Sequence, residues 1–218
     1  FVFWSGLLHL TRQTVLMSRQ RSQLSVVFYL AFLNVLTAFG VDSSLPAFDE
    51  IRPDIGLLDG SNKISLIVTI FLVGIAIGQI ISGPFMDRFG RGSSLRFGLI
   101  LFILGTLGSL FSQNLLSILV FRFLWGLGAS IPASMKGAVS RDLYSGDEMA
   151  KVMSKIMAVF LLGPIITPLV SELFLSFTSW RIVYLLGVLL AAVGIFWSIK
   201  FGETLPPSNR RSLNWDNT

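Results

Sequence analysis

Two long apolar runs, separated by only a short charged stretch, constrain this chain most. Residues 64–82 hold no charge and no proline, and residues 97–110 are again uncharged. A helix needs about 20 mostly apolar residues to cross the ~30 Å hydrocarbon core of a bilayer. In lipid, every backbone N–H and C=O must also be satisfied internally, which leaves helices and closed barrels. Two such runs in close succession predict a hairpin of membrane-spanning helices. The stretch between them is Gly83-Pro84-Phe85-Met86-Asp87-Arg88-Phe89-Gly90-Arg91-Gly92-Ser93-Ser94. It reads as a short, tight loop at a membrane face. Gly83 allows a close turn, Gly90 permits a positive φ, and Asp87, Arg88 and Arg91 are placed to form salt bridges across helix ends.

The same logic, carried along the chain, predicts six spans near residues 24–45, 62–82, 94–111, 116–139, 152–174 and 181–199. The connections at residues 112–115 and 175–180 are short and force antiparallel neighbours. Composition agrees: hydrophobic residues make up 53% and charged residues only 13%, against about 25% charged in an ordinary soluble domain. Mean hydropathy is +0.74. There is no cysteine, and the single histidine, His9, lies outside every predicted span. That argues against thiolate or histidine metal sites, and against an intramembrane serine protease, which needs a Ser–His pair within its spans.

The net charge of +5 could suggest nucleic acid, but its distribution points to membrane topology. Lys and Arg gather before the first span (Arg12, Arg19, Arg21), in and after the hinge (Arg88, Arg91, Arg96), after the fourth span (Arg141, Lys151, Lys155) and after the sixth (Lys200, Arg210, Arg211). The opposite side holds Arg52, Lys63 and Arg181 beside the acids Asp49, Glu50, Asp54 and Asp59. The positive-inside rule then predicts cytoplasmic ends. Residues 1–23 are expected as a cytoplasmic segment, with Met17 a candidate start and residues 1–16 either upstream translation or a short amphipathic helix. Residues 24–199 form the transmembrane domain, and residues 200–218 a polar cytoplasmic linker. Gly74, Gly78 and Ser82, and then Gly105 and Ser109, recur every four residues, a spacing that lets helix backbones approach in lipid.

Polar residues inside the spans carry the functional expectation. Asp42 stands near the end of the first span, where a buried carboxylate costs about 2.5–3.5 kcal/mol. It either ends the helix at the interface or faces a cavity, where burial and a neighbouring cation together let it load and release a proton. Arg122 lies in the fourth span and stays charged in a protein. It needs a counter-charge or backbone carbonyls, unless it snorkels to the interface. Gly163, Pro164 and Pro168 interrupt the fifth span, since each proline removes a helical hydrogen bond.

The hinge resembles the loop between the second and third helices of the major facilitator superfamily, Gly-x-x-x-Asp-Arg-x-Gly-Arg-Arg/Lys, with Gly92 in place of the last basic residue. Arg122-Phe-Leu-Trp125-Gly126-Leu-Gly128 resembles the superfamily's fourth-helix motif, with Trp125 where glutamine is common. Gly163-Pro164-Ile-Ile-Thr-Pro168 is similar to the fifth-helix antiporter motif, and closer to the Ala-Pro-x-x-x-Pro form of the Bcr/CflA drug-resistance family. Ser171 and Glu172 stand where that motif has paired glycines, so Glu172 reads as a second intramembrane acid or an interface residue that would crowd a packing face. Arg141-Asp142, Ser179-Trp180-Arg181 and Glu203-Thr-Leu-Pro206 are family-like context.

The resemblance implies an all-α membrane protein whose six transmembrane helices form the N-terminal half of a major facilitator fold, a 3+3 inverted repeat. It implies no cofactor, a proton gradient as the energy source, and the lipid bilayer, a small-molecule substrate and a missing C-terminal six-helix half as partners, with no role for nucleic acid. The location would be the cell (inner) membrane. Function would be proton-coupled efflux of drugs or small lipophilic or cationic metabolites by alternating access. An uptake symporter of the same fold and an inactive half-transporter are the alternatives. Coupling falls to Asp42, Arg122 and Glu172, the cavity wall to Asn34, Ala38 and Trp125, the cytoplasmic gate to the hinge residues, and the fifth-helix hinge to Gly163, Pro164 and Pro168.

Overall fold

A computed structural model describes residues 22–210 as helices joined by short turns. Expectations that fall on residues 1–21 and 211–218, such as Met17 as a start, lie outside the described residues. The helices are α1 (Gln23–Asp42), α2 (Phe48–Asp54), α3 (Leu66–Phe89), α4 (Arg91–Leu110), α5 (Leu115–Leu143), α6 (Gly146–Phe160), α7 (Gly163–Leu175) and α8 (Trp180–Phe201). A 3-10 turn over Asn62–Ser65 leads into α3. Among the described residues, six stretches are long and apolar enough to span a bilayer: Gln23–Asp42, Asn62–Phe89, Arg91–Leu110, Leu115–Leu143, Gly146–Leu175 and Trp180–Phe201. The six expected spans therefore stand.

Local chemistry starts two of these helices cleanly. The Ser22 hydroxyl accepts from the Ser25 N–H at 3.2 Å, and the Asn114 side chain accepts from Ser117 N–H at 2.9 Å. Each satisfies one of the orphan donors of a helix N-terminus.

The centre of the bundle is α5, packed between α3 and α4. Small residues permit this on both sides. A side chain at Gly74 would strike the Phe123 carbonyl and lie 3.1 Å from the Gly126 Cα, and one at Gly105 would strike the Trp125 backbone. The hydroxyls of Ser82 and Ser134 meet at 2.9 Å across the same α3–α5 seam. Outside this seam α3 and α7 present apolar side chains outward, among them Leu72, Ile80, Ile165 and Leu169.

Three expectations need correction. The hinge is not a loop from residue 83 to 94. Helix α3 passes through Gly83, Pro84, Asp87 and Arg88 to Phe89, and the whole turn is made by Gly90 at φ 88°, ψ 160°. Tertiary packing extends the helix: Met86 is buried, and Phe85 rests on Phe89 and Phe97 with ring centroids 4.7 and 5.5 Å apart. Gly83 has open space around it and makes no turn. Second, the fifth span is two helices, broken at Leu161–Leu162. Pro164 has no N–H to give, so it fits the unbonded first turn of α7. Third, α1 ends at Asp42, three residues early, and the chain turns into the short α2.

Candidate functional site

Two clusters of polar side chains form, at opposite ends of the bundle. The first is built around Arg122, which is 0% exposed. Its Nη1 donates to the Gly40 carbonyl at 2.9 Å. Its Nη2 donates to the hydroxyls of Ser44 and Tyr184, which lie 3.1 Å from each other. The guanidinium carbon also sits 4.5 Å from the Trp125 ring centroid and 4.6 Å from that of Tyr184. Every acceptor is neutral. Arg122 Nε and Trp125 Nε1 are buried without a hydrogen-bond partner. The snorkelling alternative for Arg122 is thereby removed, because the side chain points inward to α1 and α8.

Asp42 closes α1 and is half-buried. It follows Gly40 by two residues, about 200° around the helix, so it leaves α1 on another face. Among the described residues no ion pair joins it to Arg122 or to another cation.

The expected cavity wall lies inside the six helices instead. Asn34 is 1% exposed and donates to the Leu30 carbonyl at 2.7 Å. Trp125 is fully buried and meets the rings of Phe71, Phe102 and Tyr184 edge-on at 5.7, 5.2 and 5.3 Å. Ala38 is buried where α7 crosses α1, and a side chain on Gly163 would come within 3.3 Å of it. Small residues at Ala38 and Gly163 thus bring the helix break against α1. Pro164 is exposed and Pro168 half-buried. The paired-glycine positions split: Ser171 is buried on the packed face of α7, and Glu172 is exposed on the other. Glu172 therefore crowds no packing face within this chain.

The second cluster ties the hinge together. Arg91 bonds Asp87 at 2.7 Å through Nη1 and Asp142 through Nε at 2.9 Å and Nη2 at 3.3 Å. The Glu203 carboxylate accepts from the Arg91 and Gly92 backbone N–H groups at 2.7 and 3.3 Å. It satisfies orphan donors at the start of α4, where negative charge also suits the helix dipole. Thr204 donates to Asp142 at 3.1 Å. Arg88 stands apart, exposed, with its guanidinium 5.4 Å from the Phe89 ring centroid. The expected Asp87–Arg91 pair forms. Asp142 and Glu203 had been visible only as family-like context, without partners.

At the Arg122 end, Glu50 accepts from the Trp180 backbone N–H at 3.1 Å, and Asp54 accepts from the Trp180 indole at 2.8 Å and from Arg181. The indole hydrogen bond, helped by Arg181, holds the Asp54 carboxyl below its ordinary range. This staple, Ser44 and Tyr184 were all missed by sequence reading. Tyr184 carried no signal beyond being one more aromatic in an apolar run.

The family model of the Major Facilitator Superfamily matches residues 28–216. A bicyclomycin resistance protein homolog of Haemophilus influenzae is 35% identical over 204 residues, which is 90% of this chain and 49% of that protein. Multidrug resistance protein D of Escherichia coli is 25% identical over 192 residues, 87% of this chain and 48% of its own length. The chain spans about half the length of the curated relatives it matches. The xylose transporter XylE from E. coli, partially occluded and inward open, shares the fold with a TM-score of 0.74 at 15% identity, over 84% of this chain and 49% of that one. Six apolar helices and these relatives make the chain an integral, multi-pass membrane protein.

Proposed function

We propose that this chain, which belongs to the Major Facilitator Superfamily, is the N-terminal half of a proton-coupled exporter of drugs or small lipophilic or cationic metabolites. A C-terminal six-helix half completes it, and transport proceeds by alternating access about a site between the halves. Export follows the drug-resistance names of the relatives. We infer that both ends are cytoplasmic, a reading supported by the Lys and Arg bias, and that the protein sits in the cell (inner) membrane.

One observation carries the coupling. Arg122 is a buried, permanent cation held by Gly40 and Ser44, which flank the half-buried Asp42 on either side. A change of charge at Asp42 therefore acts on the segment that cages Arg122. A proton entering from outside neutralises Asp42 and weakens its attraction for a cation. Glu172, exposed on α7, is a second acid for the same step. The membrane potential adds about 2.3 kcal/mol per charge for each 100 mV. The Arg91–Asp87–Asp142–Glu203 cluster is the gate that holds one state of the cycle.

Inverted vesicles carrying the chain with its C-terminal half, given an acid interior and external ethidium, test this reading. The wild type accumulates dye. Asp42→Asn is expected to insert normally and lose the pH-driven component. Dye accumulation by the mutant at the wild-type rate removes Asp42 from the coupling.

A further inference from the structure

Among the described residues, Lys136 is a cation within a span that this mechanism leaves without a task. It lies in α5, seven residues before the helix ends at Leu143, or about 10 Å along the axis. It is half-buried, and no carboxylate among the described residues pairs with it. The acid closest to it in the chain, Asp142, is already engaged by Arg91 and Thr204.

Its direction separates a site from a snorkelling residue. Cα–Cβ bonds tilt toward a helix N-terminus. The N-terminal direction of α5 leads away from the hinge and into the membrane. The Lys136 ammonium sits 5.0 Å from the ring centroid of Phe160, which is fourteen residues, about 21 Å, along α6 from its hinge-end start at Gly146. Phe160 is the last residue of α6, immediately before the break at Leu161–Leu162. A lysine seeking water at the hinge end would extend the other way. The half-buried charge is thus held on an aromatic ring, beside the interruption of the fifth span.

The charge inventory points to what it meets. Arg122 and Lys136 are fourteen positions apart on α5, about four turns, and so lie on nearly one face. Neither is paired with a carboxylate among the described residues. The intramembrane acids Asp42 and Glu172 stand at or near the ends of α1 and α7, at the other end of the bundle. Intramembrane charges face a bundle interior or a water-filled cavity and mark substrate paths.

We propose that Lys136 is a substrate-binding cation, and that its ligand is an amphiphile joining an aromatic or lipophilic body to a carboxylate or similar anionic oxygen group. Phe160 supports the body and the ammonium takes the anion. The inference rests on the transporter reading and narrows its substrate class away from simple cations.

The test uses the chain with its C-terminal half in nanodiscs. The probes are carboxyfluorescein and tetramethylrhodamine methyl ester, which share a ring system and carry opposite charge, and binding is read by fluorescence anisotropy. Lys136→Gln should weaken carboxyfluorescein about tenfold, the equivalent of one charge-assisted contact. Lys136→Arg should restore it, and the rhodamine ester should bind both variants as well as wild type. Two results overturn the proposal: carboxyfluorescein binding that is absent or indifferent to Lys136→Gln, and equal weakening of both probes. The latter would assign Lys136 to a structural ion pair with the facing half. Proton-driven efflux of either dye, measured separately, tests the transporter reading itself.

Discussion

Arg122 shows how a bundle keeps a permanent charge away from water without a counter-ion. Removing a guanidinium from water is costly, and no deprotonation relieves it. Here the charge is spread over one carbonyl, two hydroxyls and the faces of Trp125 and Tyr184. Cation–π contacts reach about 2 kcal/mol when desolvated. Tyr184 serves twice, since its hydroxyl accepts from Arg122 while its ring meets Trp125 and Trp180 edge-on at 5.3 and 5.1 Å. Tyr184→Phe keeps the rings and deletes one acceptor. Leaving a buried charged donor short should cost about 1–3 kcal/mol, read as a lower unfolding temperature in detergent. An unchanged temperature would mean that the hydroxyl is not what holds Arg122. The arginine was readable as an expensive residue needing carbonyls or a counter-charge. Its partners were not, because a tyrosine in an apolar run looks the same whether its hydroxyl meets lipid headgroups or a guanidinium.

Among the elements, the hinge links four pieces of chain through one residue. Arg91 joins α3 through Asp87 and α5 through Asp142, while its own N–H binds Glu203 just beyond α8. Rotation of any of these helices must break charge-assisted bonds, which are about twice as strong as neutral ones. Arg91→Ala or Asp87→Ala should therefore slow transport more than it weakens substrate binding. Rapid-mixing flux measured alongside equilibrium dye binding separates the two. Lower affinity with an unchanged turnover rate would contradict the gating role. The composition of the hinge was plain in the sequence, and so was the freedom of Gly90 to take a positive φ. The helical state of residues 83–89 was not. Glycine and proline argue locally for a loop, and buried Met86 with the stacked Phe85 overrides them.

For the whole molecule, the chain alone is expected to insert as six spans with both ends on the cytoplasmic side, and not to transport. Insertion requires apolar length and charge bias, both present within the chain. Transport requires a second wall, since the site lies between halves. Reporter tags at Met17 and Thr218 check the topology, and vesicle flux checks the activity. Saturable proton-linked flux that rises with the dimer fraction of the chain alone would point to a homodimeric transporter instead.

The number and order of spans, the small-residue face of α3 and the polar residues worth explaining were determined by the sequence itself. Each rests on local quantities: apolar length, uncharged runs and residues repeating every four positions. Which groups those polar residues meet was decided by tertiary structure. Arg122 finds the Gly40 carbonyl 82 positions away, and the Arg91 N–H finds Glu203 across 112. Pairings of that reach depend on how helices cross and rotate, and packing sets both only after every span is in place.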